Sequence, residues 1–558
     1  MGALDRKLLR DLRRLWAQAL AISLVVAGGV ATLVMAVGSY RSLDDTRTAY
    51  YERNRFADVF ALVRRAPKSV LADIRQIAGV AAVEARIAKL ALLDIPDFEP
   101  PVTAQLMSLP EDNEPVLNRL HLRRGRLPEP QSANEAVVNE SFAAAHGFVP
   151  GSRFSAILNG RKRSLVVVGT ALSPEFVYAI GPGDFMPDDR RFGVVWIAEK
   201  ALAAAYDLEG AFSSLALQLL PGASERDVTM QVDAILDRYG GRAAHGRKDQ
   251  VSHAFLDHEL DMLSNMTRTL PPIFLLVTAF LVNLTLSRIV ALEREQVGLL
   301  KALGYRNAAI AAHYLKLVAV IALVGIVIGS IAGTLLGGYV TEMFARFFRF
   351  PFLIFSKSPE IYVAAGILSL LAAGIGAART LREVMALPPA VAMQPPAPPV
   401  FRRFLPVTLR AGRLLSQPTM MMLRSIAHHP VRAALTMLGI SLATGILIVS
   451  LFVRDSMESL IDVTYSMSDR QDATISFAET RPEHALHQIL RLPGVMTAEP
   501  FREVPVRIRR GTIERRIIIT GRVPDADLSR VIDVDLHPVT PPEDGLAVSG
   551  WLARVLGV

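Results

Sequence analysis

The chain has 558 residues, of which 51% are hydrophobic, 20% charged and 7% aromatic, with a formal net charge of +8 and no cysteine. It is too apolar for an ordinary soluble enzyme and too charged for a bare membrane bundle, so membrane spans joined to soluble domains fit best. The lack of thiols excludes cysteine nucleophiles, thiolate-held zinc, iron–sulfur clusters and disulfides, and the basic residues gather beside apolar runs without interleaved aromatics, which argues against a nucleic-acid partner.

A basic segment, 1–14, opens the chain with Arg6, Lys7, Arg10, Arg13 and Arg14. The charge-free run 15–40 that follows is longer than a signal-peptide core of about 7–15 residues, and it reads as a retained first span. A helical crossing takes about 20 residues, and 269–287, 317–341, 361–378 and 433–453 also qualify, giving five spans.

Between spans one and two, residues 41–268 alternate short elements. A helix over 42–54 is followed by a strand at 57–63, a helix at 68–77, strands at 80–87 and a strand-then-helix at 134–147. A hairpin is predicted at 154–168 around the turn Asn159-Gly160, with strands at 194–197 and 215–219 and a stalk helix at 253–267. Residues 288–316 and 342–360 join the later spans. The proline-rich stretch 379–432, with Pro395, Pro396, Pro398 and Pro399, reads as a semi-rigid tether.

Lysine and arginine placement orients the spans. Segments 1–14 and 379–432 are strongly basic and are expected in the cytoplasm, together with 288–316. Residues 41–268, 342–360 and 454–558 then lie outside, although Arg346, Arg349 and Lys357 in the short outer loop run mildly against the rule.

The carboxy-terminal part echoes the beginning. Met422-Leu423-Arg424 precedes span five as Leu8-Leu9-Arg10 precedes span one, and Gly494-Val495 matches Gly79-Val80. Residues 544–557 likewise resemble 134–147. Several matches in one order argue for duplication. The second copy stops at Val558, so a truncated chain, or one completed by another polypeptide, is expected. The expected fold class is membrane α-helical spans, five in this chain, plus extracytoplasmic α+β domains, duplicated with the second copy incomplete.

Within 288–316 sits the amphipathic run Glu293-Arg294-Glu295-Gln296-Val297-Gly298-Leu299-Leu300-Lys301-Ala302-Leu303-Gly304-Tyr305. It resembles the signature of the FtsX-like permease family, which includes MacB-type and lipoprotein-releasing ABC transporter permeases. Gln296 stands where many members have glutamate, and Lys301 where many have arginine. The layout of one span, a large outer domain and three further spans is similar too. The resemblance implies a coupling helix seated in a groove of a separate ATP-binding subunit, itself a dimer, with Val297, Leu300 and Leu303 as apolar anchors and Gly304 as C-cap. On pattern alone, an amphipathic turn resting on membrane lipid headgroups would look the same.

Gly325, Gly329, Gly333 and Gly337 put four small residues on one face of span three. Members of the family act as pairs, so the stripe suits a dimer seam. Packing against a span of the same chain suits the spacing equally well.

No Walker loop occurs, so no cofactor is expected in this chain, with ATP and magnesium on the partner. The span centres carry no ionisable groups of the kind an ion-coupled carrier uses. His245, His253, Asp257, His258 and Asp261 lack metal-ligand spacing, no metal site is expected, and no catalytic constellation is present.

The expectation is a non-enzymatic permease subunit of an ABC transporter in a bacterial inner membrane, amino terminus cytoplasmic. It would transmit ATPase-driven motion to outer domains for export or extraction of a lipid, lipoprotein, peptide or drug, with room for a periplasmic adaptor. The rival is a membrane-anchored sensor or scaffold with duplicated ligand-binding outer domains and no ATPase.

Overall fold

The computed structural model describes residues 3–112, 114–182, 184, 186–356, 358–386, 388–392, 430–475, 477, 481–510, 513–542 and 544–557. Lys357, the tether prolines from Pro395 onward and Met422–Arg424 lie outside these residues. The chain divides into two units, within 1–400 and within 401–558, each described by itself.

The first unit begins with α1, Ala3–Arg14, and α2, Trp16–Arg53. No proline interrupts 16–53, so the first span continues as one helix of 38 residues into the segment expected to form a separate element. At 1.5 Å per residue it is about 57 Å long, well beyond the roughly 30 Å of a bilayer core.

Eleven strands and four helices follow: β1, Val59–Pro67; α3, Val70–Arg75; β2, Val80–Arg86; β3, Ala88–Ile95; β4, Phe98–Leu109; β5, His121–Gly125; β6, Glu135–Asn139; α4, Glu140–His146; β7, Arg153–Leu158; β8, Arg161–Leu172; β9, Phe192–Ala198; α5, Glu199–Tyr206; β10, Ala211–Leu219; α6, Glu225–Leu236; and β11, Gly241–Gly246. Asn159 (φ 47°) and Gly160 (φ 78°) make the two-residue turn of the β7–β8 hairpin, where both positions need the left-handed conformation that Asn-Gly tolerates.

These strands form two sheets. The antiparallel sheet β11-β1-β10-β2 buries Val59, Ala61, Leu215 and Leu217 under α3 and α6. Its alternate residues Phe60 and Ala216 face a second cluster with Tyr51, Phe56, Leu256 and Leu260. In the other sheet, β7-β3-β4-β9-β6-β8 closes on itself through the β7–β8 pairing, with β5 on the rest of the same β8 edge. Closure leaves Leu106, Val138, Phe154, Leu165, Val195 and Ile197 in an apolar interior. Arg86 of β2 donates to Glu175 at 2.6 and 3.2 Å, linking the sheet to the segment after β8. Burial pushes the nearby Glu84 carboxyl above the usual range.

Three long helices and two short ones complete the unit: α7, Val251–Leu292; a short α8, Arg294–Ala302; α9, Asn307–Phe347; α10, Pro359–Ala386; and the single turn α11, Pro389–Ala392. Among the described residues α2, α7, α9 and α10 are long and apolar enough to cross a membrane. Pro271 and Pro272 interrupt the backbone ladder of α7, because neither ring can donate an amide.

The glycine stripe of α9 faces α2 of the same chain. A methyl at Gly329 would meet Ala27 O at 2.6 Å and Val30 Cβ at 2.7 Å, and Gly325 and Gly333 are as tightly covered by Val26 and Val34. Gly337 is looser, with Met35 Cα at 3.4 Å. Ser23 Oγ donates to Ile321 O at 2.9 Å and Ser39 Oγ to Gly337 O at 3.2 Å across the same seam. Of the two packings compatible with the spacing, the structure has the one within the chain. Asn283 of α7 donates to Gly376 O of α10 at 2.8 Å.

At the opposite end from α8, α2, α7, the antiparallel sheet and the loop after α9 share the cluster of Tyr50, Tyr51, Leu256, Phe348 and Phe350. Ile354 N donates to Thr46 Oγ1 and Ser356 N to Ser42 Oγ, each at 3.0 Å, tying that loop to the stalk part of α2.

The second unit contains α12, Pro430–Asp462, which covers the run expected as span five; α13, His484–Ile489; the hairpin of β12, Phe501–Arg510, and β13, Ile513–Arg522; and α14, Gly550–Leu556.

The seam gives a matched test. Alanine is favoured over glycine inside a helix by about 1 kcal/mol, so Gly338→Ala, with nothing within 4 Å of the added methyl, should hold or raise the thermal midpoint in detergent. Gly329→Ala should lower it, since overpacking against a backbone oxygen costs about 1–3 kcal/mol.

Candidate functional site

The candidate site is the end of the bundle where α7 gives way to α8 at Glu293 (φ −99°, ψ 13°). At the far end of α8, Gly304 takes φ +88°, a left-handed conformation few other residues adopt without strain. Tyr305 N donates to Leu300 O at 3.1 Å and Gly304 N to Lys301 O at 3.1 Å, the paired bonds of a Schellman cap. The helix is thus closed at a defined residue and cannot run on into α9.

The underside of α8 is held by charge. Glu293, 5% exposed, receives Lys7 Nζ at 2.8 Å and the Tyr314 hydroxyl at 3.0 Å on the same oxygen. Lys7 also donates to Asp11 Oδ2 at 2.7 Å, and His313 Nε2 lies 3.2 Å from that oxygen. One buried network therefore joins α1, the α7–α8 corner and the start of α9. Such a network holds its geometry firmly, because each member would be a costly unpaired group if its partner left. Sequence reasoning missed Lys7, Asp11, His313 and Tyr314. Their signal was the Lys7–Asp11 spacing of four, with both on the α1 face that also carries Leu8 and Leu12.

On its flank α8 rests against the end of α10 and α11. Lys301 Nζ and Asn307 Nδ2 each donate to Met385 O at 3.2 Å, and Arg294 Nη2 to Val391 O at 3.0 Å. Burial pulls the Lys301 ammonium below the usual lysine value.

The apolar residues of α8 divide differently from the sequence expectation. Val297 is 2% exposed within the bundle core and Leu300 packs partly against it, so neither is offered to a partner here. Gly298 is buried as well. The apolar side chains left outside are Leu292 (71% exposed), Leu299 (51%), Leu303 (68%) and, less so, Tyr305. Leu292 lies just before the corner and Tyr305 just after the cap, while Leu299 and Leu303 form one stripe at helical spacing with the exposed Glu295 and Gln296. The inward choice follows from register: Val297 lies one turn after Glu293, which the ionic network fixes inside.

The histidine and acid residues before span two are spread among other contacts. Tyr51 Oη lies 3.2 Å from His253 Nδ1, Asp257 accepts from Arg47 at 2.7 Å, and His245 stacks on Phe60. Among the described residues no group of three His, Cys, Asp or Glu side chains is arranged to hold a metal ion.

The network has a direct test. Lys7→Met leaves two buried carboxylates without their shared cation and should cost about 3 kcal/mol in thermal or denaturant unfolding. Adding Glu293→Gln to Lys7→Met should recover part of that loss. Strictly additive losses in the double-mutant cycle would mean that Lys7 contributes packing alone.

Residues 269–389, which include α8 and the glycine stripe, match the family model described as FtsX-like permease C-terminal. Three solved structures align with the chain, each at 12% identity. The extracellular domain of the ABC-type transporter YknZ from Gram-positive bacteria covers 34% of this chain and 98% of its own, with a TM-score of 0.24. The periplasmic region of MacB from Actinobacillus actinomycetemcomitans covers 38% and 95%, also at 0.24. A domain of a protein described as a permease from Porphyromonas gingivalis covers 33% and 84%, at 0.22. No curated protein matches the chain.

Proposed function

We propose that this chain, whose residues 269–389 are an FtsX-like permease C-terminal domain, is the membrane subunit of an ABC transporter that carries the motion of a separate ATPase dimer to domains beyond the bilayer. The observation that carries the reading is the exposed stripe of Glu295, Gln296, Leu299 and Leu303 on a helix capped by Gly304 and pinned from beneath by Glu293. A short rigid helix with an apolar outer stripe suits a groove on a partner, where Leu299 and Leu303 serve as anchors and Glu295 and Gln296 set register. ATP and magnesium belong to that partner.

In this reading the amino terminus and α8 lie in the cytoplasm of a bacterial cell, and the β-rich body lies outside the inner membrane. Closure of the ATPase pushes α8, and α7 delivers the push to the cluster around Tyr51 and Phe348 under the antiparallel sheet. The moving body then extrudes or extracts a lipid, lipoprotein, peptide or drug, alone or with a periplasmic adaptor, or it activates an outer partner.

The second unit is read as a further copy of the first, with α12 as its span. Support comes from backbone geometry at matched places. Gly79 and Gly494 take φ 96° and 88°, each shortly after a short helix, and Gly147 and Gly557 take 66° and 70° at the ends of α4 and α14. The residues before those two helices, Asn139 and Ser549, share φ near −65° and ψ near 145°.

Co-purification of the full chain from its native host tests the reading. An ATP-binding-cassette subunit should be recovered and its ATPase rate should respond to the permease. Leu299→Asp with Leu303→Asp should abolish recovery while leaving the thermal midpoint within a degree or two, because both side chains already face solvent. Recovery undiminished by the double variant would refute the docking surface, and absence of any such subunit would favour the sensor.

A further inference from the structure

Helix α1 carries two kinds of face. Lys7, Leu8, Asp11 and Leu12 turn inward, and both acids of the helix are committed, Asp11 to the buried network and Asp5 to Lys316 at 3.2 Å. Arg6, Arg10, Arg13 and Arg14 are exposed and have no ion-pair partner among the described residues. The helix breaks at Leu15 (φ −106°, ψ 18°), yet Leu15 N still donates to Asp11 O and Ala19 N to Leu15 O, both at 2.9 Å. Helical phase is therefore kept across the break. The outward line of Arg6, Arg10 and Arg13 continues, at spacings of three and four, into Trp16 (66% exposed), Leu20 (45%) and Leu24 (54%).

Trp16, Leu20 and Leu24 begin the apolar stretch of α2, which is long enough to cross the bilayer. A tryptophan at the head of such a stripe sits at the boundary between acyl chains and headgroups. Arg13 and Arg10 lie about one and two turns beyond that boundary on the same line, within side-chain reach of the lipid phosphates, and Arg6 lies about one turn farther out. Guanidinium forks pair with phosphate in two-point contacts, and no carboxylate competes on this face.

We infer that the outer face of α1 is a binding surface for anionic phospholipid headgroups, with Arg6, Arg10 and Arg13 on the phosphates and Trp16 marking the depth. The inference rests on α2 crossing the bilayer and is independent of any ATPase partner. Lipid held there would clamp α1 from outside while Lys7 clamps it from inside, so bilayer composition would bear on the α8 network.

The test uses the full chain in nanodiscs of equal parts phosphatidylglycerol and phosphatidylcholine, with retained lipid counted by native mass spectrometry. Wild type should retain the anionic lipid in about tenfold excess, a preference that weakens as salt is raised. Arg6→Gln/Arg10→Gln/Arg13→Gln should bring the two lipids close to parity, and the corresponding lysine triple should keep most of the preference. A wild type without preference, a preference indifferent to both salt and the glutamine triple, or full displacement by inorganic phosphate at matched ionic strength would each overturn the proposal, the last by showing a free-anion site. Arg10→Gln/Arg13→Gln, which leaves Arg6 in place, should lose part of the preference and decides the matter even if the glutamine triple fails to fold, an unchanged preference overturning the proposal.

Discussion

The close approach of α9 to α2 is the constraint on which the rest of the molecule depends. Between helices in lipid there is little hydrophobic drive, because acyl chains are as apolar as leucine, so association relies on van der Waals contact and hydrogen bonds. Removing Cβ at Gly325, Gly329 and Gly333 lets the α9 backbone lie on Val26, Val30 and Val34 at contact distance. Ser23 and Ser39 add a hydrogen bond toward each end of the seam. Spans one and three thus form one rigid pair, and that pair carries the stalk, the loop that ties it and the start of the network beneath α8.

Position along α9 separates two kinds of adhesive. The apolar middle uses close packing and neutral hydrogen bonds, such as those of Ser23, Ser39 and Thr334, where an unpaired charge would be severely destabilising. At the α8 end Lys7, Asp11, Glu293, His313 and Tyr314 use charge and hydrogen bonding, which fix direction more sharply than packing does. That choice suits a corner that must hold α8 at one angle. In α7, by contrast, Pro271 and Pro272 forfeit two ladder bonds, so bending is most easily absorbed between the stalk and the α8 corner.

Local chemistry made much of the fold legible in the sequence. Long charge-free runs marked the helices, Asn159-Gly160 marked a hairpin, and Gly304 marked the end of α8, because each depends on residues adjacent in the chain. The closure of the β7-β3-β4-β9-β6-β8 barrel was not legible, since it joins strands that are far apart in sequence and parallel in two places. The face of α8 was misjudged for a related reason. Amphipathicity told that one side is apolar, but Lys7, nearly three hundred positions away, decides that Val297 turns inward and Leu299 and Leu303 turn outward. The stripe on α9 showed that something comes close, and only the folded chain names α2 as that something.

Sequence drift along α9 must therefore be uneven. A side chain at position 329 would meet the backbone oxygen of Ala27, which no exchange at position 30 removes, so that position is confined to glycine, whereas position 338 is free to wander. Related chains should carry this imprint as fixed and variable places on one helix, readable without any knowledge of cargo.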